Sequence, residues 1–201
     1  IGARVSTGSQ DIFLTTRQGK SIRFHEDEIR EMGRVAAGNI GIRMESDDQV
    51  VGMEVLDEGA TILTVTENGF GKRTRTEEYR VQGRGGKGIL TIKTTQRNGL
   101  VVYACQVTDP DELMIITEQG KIIRLKVADI SVIGRNTQGV KLISLAEGER
   151  LSSIERIVGL DEGADASASQ SPAAQLPDSD LDPDSQPEQR PESGPDSPDF
   201  D

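Results

Sequence analysis

Landmark glycines return three times along this chain at separations of 50 and 51 residues, a period long enough for one supersecondary unit and too short for a domain. The turn glycine of Gln18-Gly19 reappears in Asn68-Gly69 and Gln119-Gly120. Gly33-Arg34 is followed in the same register by Gly83-Arg84 and Gly134-Arg135, and five residues after each lie Gly38, Gly88 and Gly139. Apolar stretches then begin at Val50, Leu100 and Leu151. Units that share a register cannot each bury their own apolar face, so they must stack on one another.

Within a unit the sequence reads as four short strands. The first is an apolar run: Ile12–Thr16, Ile62–Thr66 and Leu113–Thr117. A two-residue X-Gly turn follows, best formed at Asn68-Gly69, because a type I′ turn needs positive φ at both central positions. The second strand alternates and is basic: Lys20–Phe24, Lys72–Arg75 and Lys121–Lys126. After the glycine loop come a third strand (Ile40–Met44, Ile89–Lys93, Val140–Leu145) and a fourth (Val50–Val55, Leu100–Val107, Leu151–Val158). Four strands per unit of this length is the arithmetic of a propeller-like, all-β fold with almost no helix between residues 11 and 158. Ile1–Val5 matches Val51–Val55 in its glycine and its valine, so the chain is expected to open inside a preceding unit. With no Met at position 1, it reads as a C-terminal piece of a longer protein.

Composition sharpens the division of the chain. Residues 1–158 hold 22 Lys and Arg against 22 Asp and Glu, whereas residues 159–201 hold 1 against 12, which accounts for the whole net charge of −11. Seven of the eight prolines also fall in the second stretch. The expectation is a β body at 1–158 and a disordered acidic tail at 159–201, too poor in apolar residues to offset its chain entropy. The body lacks Trp, so its core must come from Ile, Val and Leu. No stretch approaches the roughly 18 apolar residues of a membrane span, and neither end carries a recognisable secretion signal. Cys105 is alone, which rules out an intrachain disulfide and suits a reducing cytoplasm.

Chemistry is easier to exclude. His25 is the single histidine and reads as a surface residue after the second strand; one Cys and one His do not make a zinc site. Glu26-Asp27-Glu28 and Asp47-Asp48 read as solvated faces, so neither a metal site nor a catalytic residue is expected. The sharpest local signal is the loop Gln82-Gly83-Arg84-Gly85-Gly86-Lys87-Gly88. Consecutive glycines let backbone N–H groups approach a phosphate, with Arg84 and Lys87 supplying charge; equally, a connection between strands needs glycine for its turns. The spacing is not that of a P-loop. Arginine recurs in the equivalent loops as Arg34 and Arg135, which favours the phosphate reading.

The Gln82–Gly88 loop is similar to the glycine-rich basic box of bacterial gyrase, although Gly83 stands where that box carries a basic residue. Asn68–Thr74, Arg97–Val102 and Gly134–Val140 resemble the last blades of the C-terminal domain of the DNA gyrase A subunit, and the resemblance runs in order from residue 1 to about 158. It implies a β-pinwheel, a propeller-like array whose blades exchange strands and whose basic rim wraps double-stranded DNA. It further implies a parent type II topoisomerase of the bacterial cytoplasm, in which the chain is joined by a second A subunit together with the gyrase B subunit, using ATP and Mg in that complex. The C-terminal domain of topoisomerase IV and a protein-binding propeller are the alternatives. The family's nucleophilic tyrosine follows an arginine; Tyr79 follows Glu78 and Tyr103 follows Val102, so the chain carries no cleavage chemistry of its own. The expected rim cations are Lys20, Arg23, Lys72, Arg73, Arg75, Lys121, Arg124 and Lys126 on the second strands, with Arg34, Arg84, Lys87 and Arg135 in the loops.

Overall fold

The computed structural model describes residues 2–159, and the expected acidic tail lies outside them but for its first residue. Within the described residues, eleven strands form three antiparallel sheets. The first strands are β1 (Asp11–Thr16), β4 (Thr61–Thr66) and β8 (Glu112–Thr117); the second are β2 (Lys20–His25), β5 (Phe70–Arg75) and β9 (Ile122–Lys126). Each pair closes on its X-Gly turn, and Gly19, Gly69 and Gly120 all have φ between 79° and 84°, a conformation a side chain would strain. The fourth strands, β3 (Val50–Val55), β7 (Val101–Val107) and β11 (Leu151–Ile157), pair with β1, β4 and β8 and lie side by side at the hub.

The third strand is where local reading and tertiary structure part. Of the expected Ile89–Lys93 and Val140–Leu145, only β6 (Ile89–Leu90) and β10 (Val140–Lys141) are extended, and each pairs with the second strand of the preceding unit: β6 with β2, β10 with β5. Beyond two residues the chain rolls over the neighbour's turn, with the N–H groups of Thr91 and Leu142 donating to the carbonyls of Gly19 and Gly69. The expected strand Ile40–Met44 does not form, and neither does one at residues 2–5. A donor strand needs an acceptor edge from another blade, and the described residues hold none ahead of the first unit.

Strands β1 and β4 bury both faces because each sheet is sandwiched by a neighbour. Ile12 and Leu14 pack with Ile22, Phe24 and Ile42, whereas Phe13, on the opposite face, packs with Ile62 and Tyr79 of the next blade. The Phe13 and Tyr79 rings meet edge to face at 4.8 Å. Leu63, Val65, Leu113 and Ile115 continue the core into the third unit. Burial on two sides is why β1 and β4 read as unbroken apolar runs, whereas burial alternates along β8. Helix among the described residues is confined to three 3-10 turns, at Glu26–Glu28, Thr76–Glu78 and Val127–Asp129, one after each second strand.

Candidate nucleic-acid interface

Strand exchange places the second and third glycine loops against the preceding blade, where the two structures build a joint. The Glu28 carboxylate, from the first 3-10 turn, accepts the backbone N–H of Arg84 at 2.6 Å. Arg84 answers with its side chain, donating from Nε to the Glu28 carbonyl and from a terminal nitrogen to the Ile40 carbonyl, both at 2.8 Å. One blade further on, the Glu78 carboxylate accepts the N–H of Arg135 at 3.1 Å, and the Arg135 guanidinium donates to the Leu90 carbonyl at 2.8 Å while lying 5.9 Å from the Tyr79 ring. Arg84 and Arg135 are thus half-buried latches, and the loop N–H that a phosphate would take at each arginine is already held by a carboxylate.

The basic second strands are divided in the same way. Lys72 is fully buried beneath the third loop and donates from Nζ to the carbonyls of Gly134 at 2.6 Å and Arg135 at 2.8 Å. Burial pushes its pKa down to about 8, against the pull of Glu78. Arg73, also buried, donates to the Ile130 carbonyl and pairs with Asp109. Arg23 bonds Asp11 at 2.6 Å and the carbonyls of Thr76 and Tyr79 at 2.9 and 3.3 Å. Lys20 pairs with Glu45, Lys121 with Glu149 and Arg124 with Glu112. In this structure these expected rim cations are engaged by carbonyls or carboxylates of the protein itself.

Four of the twelve expected cations remain exposed without an ion pair or side-chain hydrogen bond among the described residues: Arg34, Arg75, Lys87 and Lys126. The structure adds others that the glycine landmarks did not single out. Arg43 and Lys93 occupy the same repeat position and are exposed; extending the register five residues past Gly38 and Gly88 would have found them. Arg97 and Lys141 are exposed too, 4.9 and 6.0 Å from the Phe70 ring. The hub is of mixed charge. Its cavity of about 440 Å3 is lined by Glu54, Asp57 and Glu155 with Arg4 and Arg156, and burial raises the Glu54 carboxyl pKa. His25 lies partly exposed beside Asp27, and burial pushes the Cys105 thiol up to about 12, leaving it unreactive.

The family model described as DNA gyrase C-terminal domain, beta-propeller, matches residues 10–57, 60–104 and 111–157, one segment for each unit seen here. The chain belongs to the DNA gyrase C-terminal domain family. It is 46% identical over 157 residues to the DNA gyrase A subunit of Salmonella typhimurium, covering 78% of this chain and 18% of that protein. It is 42% identical over 187 residues to the corresponding protein of Escherichia coli K12, covering 90% of this chain and 21% of that protein. The chain therefore spans about a fifth of these relatives. Solved structures of a DNA gyrase A C-terminal domain and of a topoisomerase IV C-terminal domain share its fold, each with TM-score 0.70, at 23% and 24% identity; the match covers 76% and 75% of this chain and 52% and 47% of theirs. The three matched segments follow the blade-by-blade recurrence of the joints. Each loop arginine in the second and third units is clamped by an acid of the unit before it.

Proposed function

We propose that this chain binds double-stranded DNA along its outer perimeter without reading sequence, and bends it, as the C-terminal part of a gyrase-type topoisomerase. The observation that carries the reading is the set of exposed cations left once internal pairs are discounted: Arg34, Arg75, Lys87 and Lys126, joined by Arg43, Lys93, Arg97 and Lys141. Phosphates are drawn to such cations. Contacts of this kind position a duplex without specifying bases. Bending a few tens of base pairs costs on the order of 1–10 kcal/mol, which perimeter contacts must offset. In this reading the parent protein assembles with a second A subunit together with the gyrase B subunit in the bacterial cytoplasm, and draws on ATP and Mg bound elsewhere in that complex. Relatives that bear the gyrase name favour gyrase over topoisomerase IV.

Fluorescence anisotropy with a labelled duplex tests it. Roughly 4–8 phosphate contacts give a log–log salt slope of about −4 to −7, equal for unrelated sequences. No binding at low salt, or a strong preference for one sequence, would overturn the proposal.

A further inference from the structure

The three blades share one small construction at the residue after each turn glycine, and its charge differs from blade to blade. That residue is Lys20, Phe70 or Lys121, and the turn ahead of the fourth strand reaches it. The turns are closed alike, by the N–H of Asp48 on the Glu45 carbonyl, of Gly99 on Thr95 and of Glu149 on Ala146. In the first blade the turn carries Glu45, Asp47 and Asp48, and Glu45 pairs with Lys20 at 2.8 Å. In the third it carries Glu147 and Glu149, and Glu149 pairs with Lys121 at 3.0 Å. The second has no acid from Thr95 to Gly99. Its one charged residue is Arg97, whose guanidinium stands 4.9 Å from the centre of the Phe70 ring.

A second cation reaches the same ring from the following blade. Lys141 faces Phe70 in the register of β10 with β5, and its Nζ lies 6.0 Å from the ring centre; in the first joint the cross-strand partner of Lys20 is Leu90. Two exposed cations beside one ring repel each other, and the electron-rich ring face offsets part of that repulsion. Hydrogen bonds hold the backbone of the arrangement in place. Asn68 donates from Nδ2 to the carbonyls of Gln96 and Arg97, both at 3.2 Å. Fully buried Asn98 accepts the Thr95 N–H at 2.8 Å and donates to the Gln138 carbonyl at 3.1 Å, tying the Arg97 turn to the loop that leads into Lys141. The one acid lining the cavity of about 350 Å3 beside the ring is Glu149, already held by Lys121 and by the Ala146 N–H.

We propose that Arg97 and Lys141 together hold a single phosphodiester of bound duplex DNA, with the Phe70 ring positioning both, and that the equivalent places at Lys20 and Lys121 hold none. The inference rests on the DNA-binding reading above and narrows it from a set of exposed cations to one grip between the second and third blades. A guanidinium presents two parallel N–H groups to two phosphate oxygens, and an ammonium takes a further lone pair. One phosphate thus satisfies both cations and offsets their mutual repulsion. At Lys20 and Lys121 the ammonium already has a carboxylate, and the other acids of those turns repel a phosphate.

Anisotropy titrations of the whole chain with a labelled duplex over a range of salt test the site, with Arg97→Ala, Lys141→Ala and the double variant. Because the two cations share one phosphate, each single variant should shallow the log–log slope by about 1, and the double variant by about 1 as well. Phe70→Leu, shown to be folded by its urea melt, keeps an apolar floor without a ring and should shallow the slope too, whereas Lys20→Ala leaves it unchanged. A loss of about 2 in the double variant would assign the cations to separate phosphates and overturn the proposal. So would single variants with the slope of the unaltered chain, an unchanged slope in folded Phe70→Leu, or a Lys20→Ala effect as large as that of Arg97→Ala. In each of these cases the unaltered chain still binds; an unaltered chain that binds no duplex would overturn the DNA-binding reading, and this site with it.

Discussion

Glu28 and Arg84 stand 56 residues apart and hold one another twice: the glutamate side chain takes the arginine backbone N–H, and the arginine side chain donates to the glutamate carbonyl. The pair ties a 3-10 turn of one blade to the glycine loop of the next. It gives a defined shape to the stretch from Gly83 to Gly88, in which only Arg84 and Lys87 are not glycine. Basic residues in this loop therefore divide into one that builds the joint and one, Lys87, that faces solvent.

Replacing Glu28 by Ala should free the Arg84 amide while leaving the sheets intact. Because Glu28 is exposed, the loss is about 1 kcal/mol, roughly a fivefold faster hydrogen exchange at that amide. Exchange at Arg84 equal to that of the unaltered chain would mean that Glu28 does not hold the loop.

DNA binding should separate the two loop cations. Lys87→Ala is expected to shallow the log–log salt slope by about 1, while Arg84→Ala lowers the denaturation midpoint with little change in slope. Anisotropy titrations between low and moderate salt, paired with urea melts, decide it; the reverse pattern would make Arg84 the phosphate contact.

Lys72 gives the protein an alkaline signature. Its folded pKa is lowered to about 8 from the ordinary 10.5, so between those values the unfolded chain binds more protons than the folded one. Stability contributed by this group is thus lowest below pH 8 and rises as pH climbs toward 10.5. Urea midpoints from about pH 7 to about pH 10 should show the rise in the unaltered chain and its absence in Lys72→Met. That variant should also melt earlier near neutral pH, since the Gly134 and Arg135 carbonyls lose their donor.

Residues 159–201 carry 12 carboxylates and are joined through the chain to a body with exposed cations. A tethered polyanion competes with DNA at an effective concentration that reaches about millimolar for short flexible links. Removing these residues should raise DNA affinity most at low salt, and the gain should shrink as the Debye length falls from roughly 30 Å at 0.01 M to about 8 Å at 0.15 M. Equal affinities for the two chains at low salt would leave the segment without a part in binding.

Much of the fold is legible in the sequence because its punctuation is local. Gly19, Gly69 and Gly120 adopt positive φ in two-residue turns, and that requirement is met by residue type alone. First and fourth strands follow within a residue or two, and in β1 and β4 burial on both faces shows as a run. Third strands are legible only in part: Ile40–Met44 has the composition of its counterparts but meets no acceptor edge among the described residues, and pairing partners are not a local property.

The free cations are the least legible. Arg23, Arg73 and Arg124 share one repeat position and one residue type, yet the first is divided between Asp11 and two carbonyls, the second is buried on Ile130 and Asp109, and the third stands 66% exposed beside Glu112. The sequence by itself determined the period, the turns and the apolar strands, because backbone conformation and side-chain size act within a few residues. Only the tertiary structure decided which charges reach solvent. A guanidinium goes wherever unpaired carbonyls and carboxylates are offered, and at the two inner joints these come mainly from the next blade, some fifty residues along the chain.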